Sequence, residues 1–253
     1  MSTIPPLTNT YPSLAGRTVF ITGGATGIGA ELVAAFAGQQ CKVTFVDLQA
    51  EAGEATAGAT CARFIECDLR DTGKLSGIIA KTGEIDGPVS VLINNAADDT
   101  RHDFRTLTEA GWDDRIAVNL RHAFFAIQAV HPQMRKLGHG SIVNFGSMSW
   151  YECQGGMTGY TTSKAAIEGM TRGLARDLGA DNIRINTLVP GWVMTPKQKA
   201  LWVGEDVKSE IERGQSLKGE LLPQDICAMA LFLASDDSRM CTAQSFIVDG
   251  GWI

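Results

Sequence analysis

The chain lacks any apolar run near the ~20 residues that a membrane-spanning helix needs. Its first residues, 1–12, are polar and proline-bearing, without the basic-then-apolar order of a secretory signal. No Cys-x-x-Cys pair occurs. Cys41, Cys61, Cys67, Cys153, Cys227 and Cys241 are scattered, so free thiols in a reducing, cytoplasmic compartment are expected, with a metal site or a disulfide as the alternative. No cluster of Lys and Arg is present. The 22 Lys+Arg face 28 Asp+Glu for a net charge of -6, which argues against a nucleic-acid surface. Linkers, repeats and low-complexity blocks are also missing, so a single domain over residues 14–253 is expected behind a short leader, 1–13. What remains is ordinary globular composition, 44% hydrophobic and 20% charged, in 253 residues.

Short β-branched runs alternate with segments of helical period. Residues 18–21, 42–46, 63–66, 90–93, 141–145, 183–188 and 245–248 read as strands. Residues 28–38, 112–135 and 160–178 read as helices. Continuous aliphatic strands suit a parallel sheet buried on both faces, and the strand-helix-strand order predicts a doubly wound α/β fold. Residues 190–222 are the least regular stretch and fit a mobile flap over a site.

Thr22-Gly23-Gly24-Ala25-Thr26-Gly27-Ile28-Gly29 joins the first strand to the first helix. Such a turn lets backbone N–H groups and a helix N-terminus approach a pyrophosphate. The strict Gly-x-Gly-x-x-Gly pattern is not met, because Leu32 stands where its last glycine would fall; a plain structural turn is the alternative. Asp47 ends the second strand, where an acidic residue meets an adenosine ribose. A carboxylate there repels a 2′-phosphate, and Leu48 and Gln49 offer no cation, which favours NAD over NADP. An ordinary turn aspartate is the other reading of Asp47. Asp68 has two readings, an adenine contact or a helix N-cap.

Tyr160-Thr161-Thr162-Ser163-Lys164 places a phenol and an ammonium four residues apart, on one helix face, with Ser147 upstream. A fixed cation lowers a phenol's pKa and makes it a usable base. Helix surfaces also carry such pairs without chemistry, and Ser147 alone reads as a loop hydroxyl.

Taken together, Thr22-Gly23-x-x-x-Gly27-x-Gly29, Asn94-Asn95-Ala96, Asn119, Ser147, Tyr160-x-x-x-Lys164 and Pro190-Gly191 resemble the short-chain dehydrogenases/reductases. The resemblance runs from about residue 14 to the C-terminus. It implies a Rossmann-type seven-stranded parallel sheet, a nicotinamide cofactor and usually a homotetramer. It implies a catalytic set of Asn119, Ser147, Tyr160 and Lys164, with Asn119 holding a water that links Lys164 to solvent. A helix-kink residue bonding its own backbone is the other reading of Asn119. The cofactor set it implies is Gly23, Thr26, Gly27, Ile28, Gly29, Asp47, Leu48, Asp68, Leu69, Asn95 and Ala96. Tyr160, Lys164, Pro190, Gly191, Val193 and Thr195 complete that set. Ala97 departs from the glycine common in the family, without removing a chemical group.

Several segments resemble bacterial aldose 1-dehydrogenases, among them residues 98–102, 118–122, 144–150 and the terminal Asp249-Gly250-Gly251-Trp252. That likeness implies oxidation of a sugar hydroxyl at C1 to a lactone. A sugar site needs donors, acceptors and a flat ring. Asp99, Arg101, His102, Asn144, Ser147, Ser149, Trp150, Gln154, Tyr160 and Trp192 are the candidates, each with surface solvation or local turn bonding as its alternative. Another alcohol or ketone (a polyol, a sugar-acid intermediate, a steroid or a 3-oxoacyl thioester) is the second enzymatic reading. A non-catalytic NAD-binding sensor is the reading from a different class, and the intact Ser147, Tyr160 and Lys164 argue against it. Small residues on the outer faces of the helices at 112–135 and 160–178 permit close packing between subunits or within the chain.

Overall fold

The computed structural model describes residues 9–253. The part of the leader at 1–8 lies outside the described residues. Seven strands form one sheet: β1 (Thr18–Thr22), β2 (Lys42–Asp47), β3 (Arg63–Glu66), β4 (Val89–Asn94), β5 (Gly140–Phe145), β6 (Ile183–Pro190) and β7 (Ser245–Val248). Every neighbouring pair is parallel, in the order β3-β2-β1-β4-β5-β6-β7. The strand order reverses between β1 and β4. A crevice opens there at the C-terminal ends of the strands, which is where ligands bind in such sheets.

All residues of β1, β4 and β5 are buried, as expected of strands covered on both faces. One face packs against α1 (Gly27–Gly38), α2 (Ala50–Thr60) and, later in the chain, the helix Pro223–Ala234. Leu32, Phe36, Phe45, Ile226 and Leu231 fill that layer. The other face is covered by α3 (Thr72–Asp86) and by the helices His122–Leu137 and Thr158–Gly179. Leu75, Ile79, Val130, Met134 and Leu178 fill this second layer. Burying such side chains stabilises the fold by roughly 1.5–3 kcal/mol apiece.

The long helix expected at 112–135 starts earlier and is interrupted. It comprises α4 (Glu109–Ile116), a π-helical turn (Ala117–Arg121) and α5 (His122–Leu137). The catalytic-helix candidate is α6 (Thr158–Gly179). The stretch at 190–222 is more regular than expected. It holds α7 (Pro196–Leu201) and α8 (Glu205–Gly214), and α9 (Pro223–Ala234) follows. Thr195 caps α7 through Gln198 N, and two acids open α8 at Glu205 and Asp206, both favourable at a helix start. The described part of the leader is tied to the core rather than loose. Tyr11 N donates to Gln39 Oε1 at 2.8 Å, and Gln39 Nε2 donates to the Asn9 carbonyl at 3.0 Å. Among the described residues no helix is long and apolar enough to cross a membrane, and all six cysteines are free.

Candidate active site

A cavity of about 990 Å³ opens over the C-terminal ends of β1, β4 and β5. Its floor begins at the turn after β1. Gly23 has φ +69°, and a Cβ there would press on Ala96. At Gly29 a Cβ would overlap the Gly23 carbonyl oxygen. Asn95 fixes this turn by donating from Nδ2 to Gly23 O at 2.8 Å and Thr22 O at 3.2 Å. The Thr26 side chain makes no capping bond to the α1 backbone, so the first amides of α1 face the cavity without a side-chain partner.

Asp47 stands at the end of β2, on the cavity wall with Leu48 and Gln49. One carboxylate oxygen accepts from Ala25 N at 3.0 Å and the other from Gln49 N at 3.0 Å, and each keeps a free lone pair. Asp68 and Leu69 line the same end. The N-cap of α3 is Asp71, which accepts from Lys74 N, so the capping alternative for Asp68 does not hold. Asp68 instead accepts from Arg70 N at 2.9 Å. Arg70, which sequence reading missed, reaches Asp114 Oδ1 at 2.6 Å and also lines the cavity.

Thr26, Gly27, Ile28, Ala96, Pro190, Gly191, Val193 and Thr195 all border the cavity too. These features fit a dinucleotide: free amides at a helix start for phosphate, glycines that admit its close approach, and a carboxylate for ribose hydroxyls.

The reactive end is built by β5 and α6. Ser147 follows β5 and accepts from Ser149 N at 3.2 Å, while its hydroxyl donates to Ser149 Oγ at 2.9 Å. Tyr160 and Lys164, one helical turn apart on α6, share the cavity wall with Ser147. Lys164 is 3% exposed. Its ammonium donates to the Phe145 carbonyl at 2.7 Å and lies 5.5 Å from the centre of the Tyr160 ring.

Burial pushes the Tyr160 pKa up to about 12, against a smaller lowering by the Ser147 hydroxyl. Burial also pulls Lys164 down to about 8. Lys164 is not among the groups that move the Tyr160 pKa in this arrangement. The ammonium is held by a carbonyl rather than by the phenol, and loss of water around the phenol outweighs the hydroxyl's help.

The substrate candidates divide. Asp99, Arg101, Ser149, Gln154 and Trp192 line the cavity. Asp99 is taken up by Lys197 Nζ at 2.7 Å and Gln198 Nε2 at 3.1 Å, which ties α7 to the loop after β4. Three candidates point elsewhere. Trp150 donates from Nε1 to Glu168 at 3.1 Å and stacks on Tyr151, away from the cavity lining. His102 accepts from Gly159 N at 3.2 Å and braces the start of α6. Asn144 is fully buried, bonded to Asn94 and Thr171.

Asn119 sits in the π-helical turn, 1% exposed and outside the cavity lining. It accepts from Asp98 N at 2.8 Å and donates to Arg115 O at 3.0 Å, as a kink residue would. Glu152 lines the cavity and was also missed. Its place between Ser147 and Tyr160 was the only signal in the sequence.

The family model described as "Enoyl-(Acyl carrier protein) reductase" matches residues 23–253. The chain belongs to this family of short-chain dehydrogenases/reductases and is an oxidoreductase of the nicotinamide-dependent type. It is 44% identical to "D-xylose 1-dehydrogenase" of Caulobacter vibrioides (strain NA1000 / CB15N), over 96% of this chain and 98% of the relative. It is 43% identical to "Probable galactose dehydrogenase GalD" of Rhizobium meliloti (strain 1021), over 95% of this chain and 96% of the relative. A solved structure described as "short chain dehydrogenase/reductase family protein" superposes with a TM-score of 0.84 at 30% identity, covering 94% of this chain and 98% of that one.

Proposed function

We infer that the protein oxidises an aldose at its C1 hydroxyl to the lactone, with NAD as hydride acceptor. The observation that carries this reading is a single cavity. It joins the glycine turn and Asp47 to Ser147, Tyr160 and Lys164, and then to a wall of Ser149, Gln154 and Trp192. The two relatives named for xylose and galactose dehydrogenation support the substrate class.

Asp47 receives the two ribose hydroxyls of the adenosine half, and Asp68 with Leu69 flanks the base. The first amides of α1, from Gly27 to Gly29, bind pyrophosphate, with Gly23, Thr26 and Ile28 shaping the approach. Asn95, Ala96, Pro190, Gly191, Val193 and Thr195 border the nicotinamide half. The absence of a cation at Leu48 and Gln49 supports NAD over NADP. When bound, the oxidised nicotinamide supplies the hydride acceptor and a positive charge that favours the phenolate.

Tyr160 Oη takes the proton of the substrate hydroxyl. Ser147 Oγ donates to the same oxygen and orients it. Lys164 adds positive charge beside the tyrosine and has donors to spare for a ribose hydroxyl. Asn119 shapes the π turn and the Asp98 backbone behind the site. Residues 190–222 form the substrate flap of a single domain, with α7 held to Asp99. We place the enzyme in the cytoplasm as a homotetramer, supported by the family resemblance and by the free cysteines.

The test is NADH formation across aldoses, polyols, hydroxy acids and steroids, with NAD and NADP compared. Efficient oxidation of pentoses or hexoses with NAD is expected. Turnover confined to a steroid or polyol would overturn the substrate, and equal use of NADP would overturn the cofactor.

A further inference from the structure

A second cavity, about 470 Å³, is lined by Glu152, Gln154, Trp192, Glu210, Trp252 and Ile253. Glu152, Gln154 and Trp192 line the first cavity as well, so the two spaces share a wall. The C-terminal tail is fixed in place there. The Asp249 carboxylate accepts from Gly251 N at 2.7 Å and from Ile253 N at 2.9 Å. Trp252 lies over Gly214, so closely that a Cβ on that glycine would overlap the indole. Two tryptophans, Trp192 and Trp252, thus line the second cavity.

The shared wall holds polar groups without partners. Trp192 Nε1 is buried and makes no hydrogen bond. The backbone of Glu152 is anchored, its N–H donating to Met148 O at 3.1 Å. Its half-buried carboxylate meets no cation and no donor among the described residues. Burial, Glu210 and Asp249 all push its pKa upward, and nothing pulls it back. A carboxylate offers only acceptors and an indole N–H only a donor. Hydroxyl groups satisfy both, since each gives one bond and takes others. A phosphate or carboxylate in the same place would satisfy the indole but face the Glu152 and Glu210 carboxylates of the lining, with Asp249 behind the tail.

We propose that Glu152 is a specificity-determining residue, anchoring the hydroxyls of the sugar remote from the reacting carbon and barring substrates anionic at that end. This rests on the aldose reading above. It defines the substrate class as neutral aldoses and excludes uronic acids and sugar phosphates. The wall does this without touching the reacting oxygen, which Ser147 and Tyr160 hold.

The experiment compares the unaltered enzyme with Glu152→Gln and Glu152→Asp, using D-xylose, D-galactose, D-galacturonate and D-galactose 6-phosphate at saturating NAD. The unaltered enzyme should oxidise galactose at least ~100-fold more efficiently than either anion. Glu152→Gln should raise KM for galactose about tenfold, with kcat within about threefold, because a charge-assisted bond is lost away from the chemistry. It should also narrow the galactose-to-galacturonate ratio by about tenfold. Glu152→Asp keeps the charge, so it should keep the anion exclusion while KM rises. Thermal midpoint and NADH affinity show that each variant is folded, and Glu152→Asp decides the matter if the glutamine variant is not. A KM within twofold of the unaltered value together with an unchanged anion ratio would overturn the proposal and leave the aldose reading standing. Equal use of galactose and galacturonate by the unaltered enzyme would also overturn it. An unaltered enzyme inactive on every neutral aldose would defeat the functional reading, and this proposal with it.

Discussion

Lys164 donates a hydrogen bond from its ammonium to the Phe145 carbonyl, at 2.7 Å, and not to the Tyr160 hydroxyl. The lysine is thereby held at the end of β5, one residue pair before Ser147. Its positive charge is present at the site, while burial pushes the Tyr160 pKa up to about 12.

Activity should therefore rise with pH across the neutral-to-alkaline range, as the phenol must lose its proton before it can accept one. Initial rates from pH 6 to pH 10 with NAD and aldose test this; a flat profile contradicts phenolate chemistry. Tyr160→Phe should lower kcat by at least ~1000-fold while NADH still binds, because the base is lost and the cofactor end is untouched. Near-normal turnover by the phenylalanine variant would remove Tyr160 from the chemistry.

Asp47 is bonded on both oxygens to local N–H groups and so also braces the glycine turn. Asp47→Ala should lower kcat/KM for NAD by about tenfold or more, the value of a charge-assisted bond. Adding Leu48→Arg should move preference toward NADP by supplying a cation for a 2′-phosphate. Unchanged preference in the double variant would count against the ribose assignment.

His122 begins α5 in a buried position, 1% exposed, and neither ring nitrogen makes a hydrogen bond of good geometry. Burial, and then the nearby Lys164 charge, pull its pKa from 6.5 down to about 4. The folded state thus binds this proton less well than the unfolded chain. Stability is fully present above pH 6.5 and is lost as pH falls through 4, a change of roughly 3 kcal/mol. His122→Leu should flatten the acid limb of a denaturation profile measured between pH 4 and pH 7. An equally steep limb in that variant would assign the acid sensitivity to other groups.

Glu168 on α6 gathers three donors: Trp150 Nε1 at 3.1 Å, Tyr151 Oη at 2.8 Å and Ser245 Oγ at 2.7 Å. It joins the turn after Ser147 to β7. Glu168→Ala should cost about 2 kcal/mol in urea denaturation, through donors left without a partner, and Glu168→Gln less. Equal stability of the alanine variant and the unaltered chain would show that water replaces the carboxylate.

The central strands are legible as continuous aliphatic runs, the edge strands 63–66 and 245–248 fall at the expected residues on short apolar stretches, and the others lie within two residues. The helices α7 and α8 were not legible. α7 is only six residues long, and in α8 just Val207 and Ile211, four apart, mark an apolar side within a charged run, with Ile211 alone buried. At the site, residues carried by backbone geometry were readable from spacing, as with the glycine turn and the Tyr160–Lys164 pair. Residues defined by where a side chain turns were not. Trp150 follows a glutamate 18 positions away, and His102 a backbone amide 57 positions away; no local pattern encodes either partner. Glu152 carries no motif, and its significance comes from a tail that folds back 100 residues later.

The π-helical turn at Ala117–Arg121 is in effect a one-residue insertion into an otherwise continuous helix. Removing one residue there would satisfy helix geometry better and yet turn the preceding segment by about 100° around the axis. Arg115 would then swing away from Asp98, and Asn119 would no longer reach the loop leaving β4. A chain shortened by one residue here would gain a straighter helix and lose both anchors of the loop after β4.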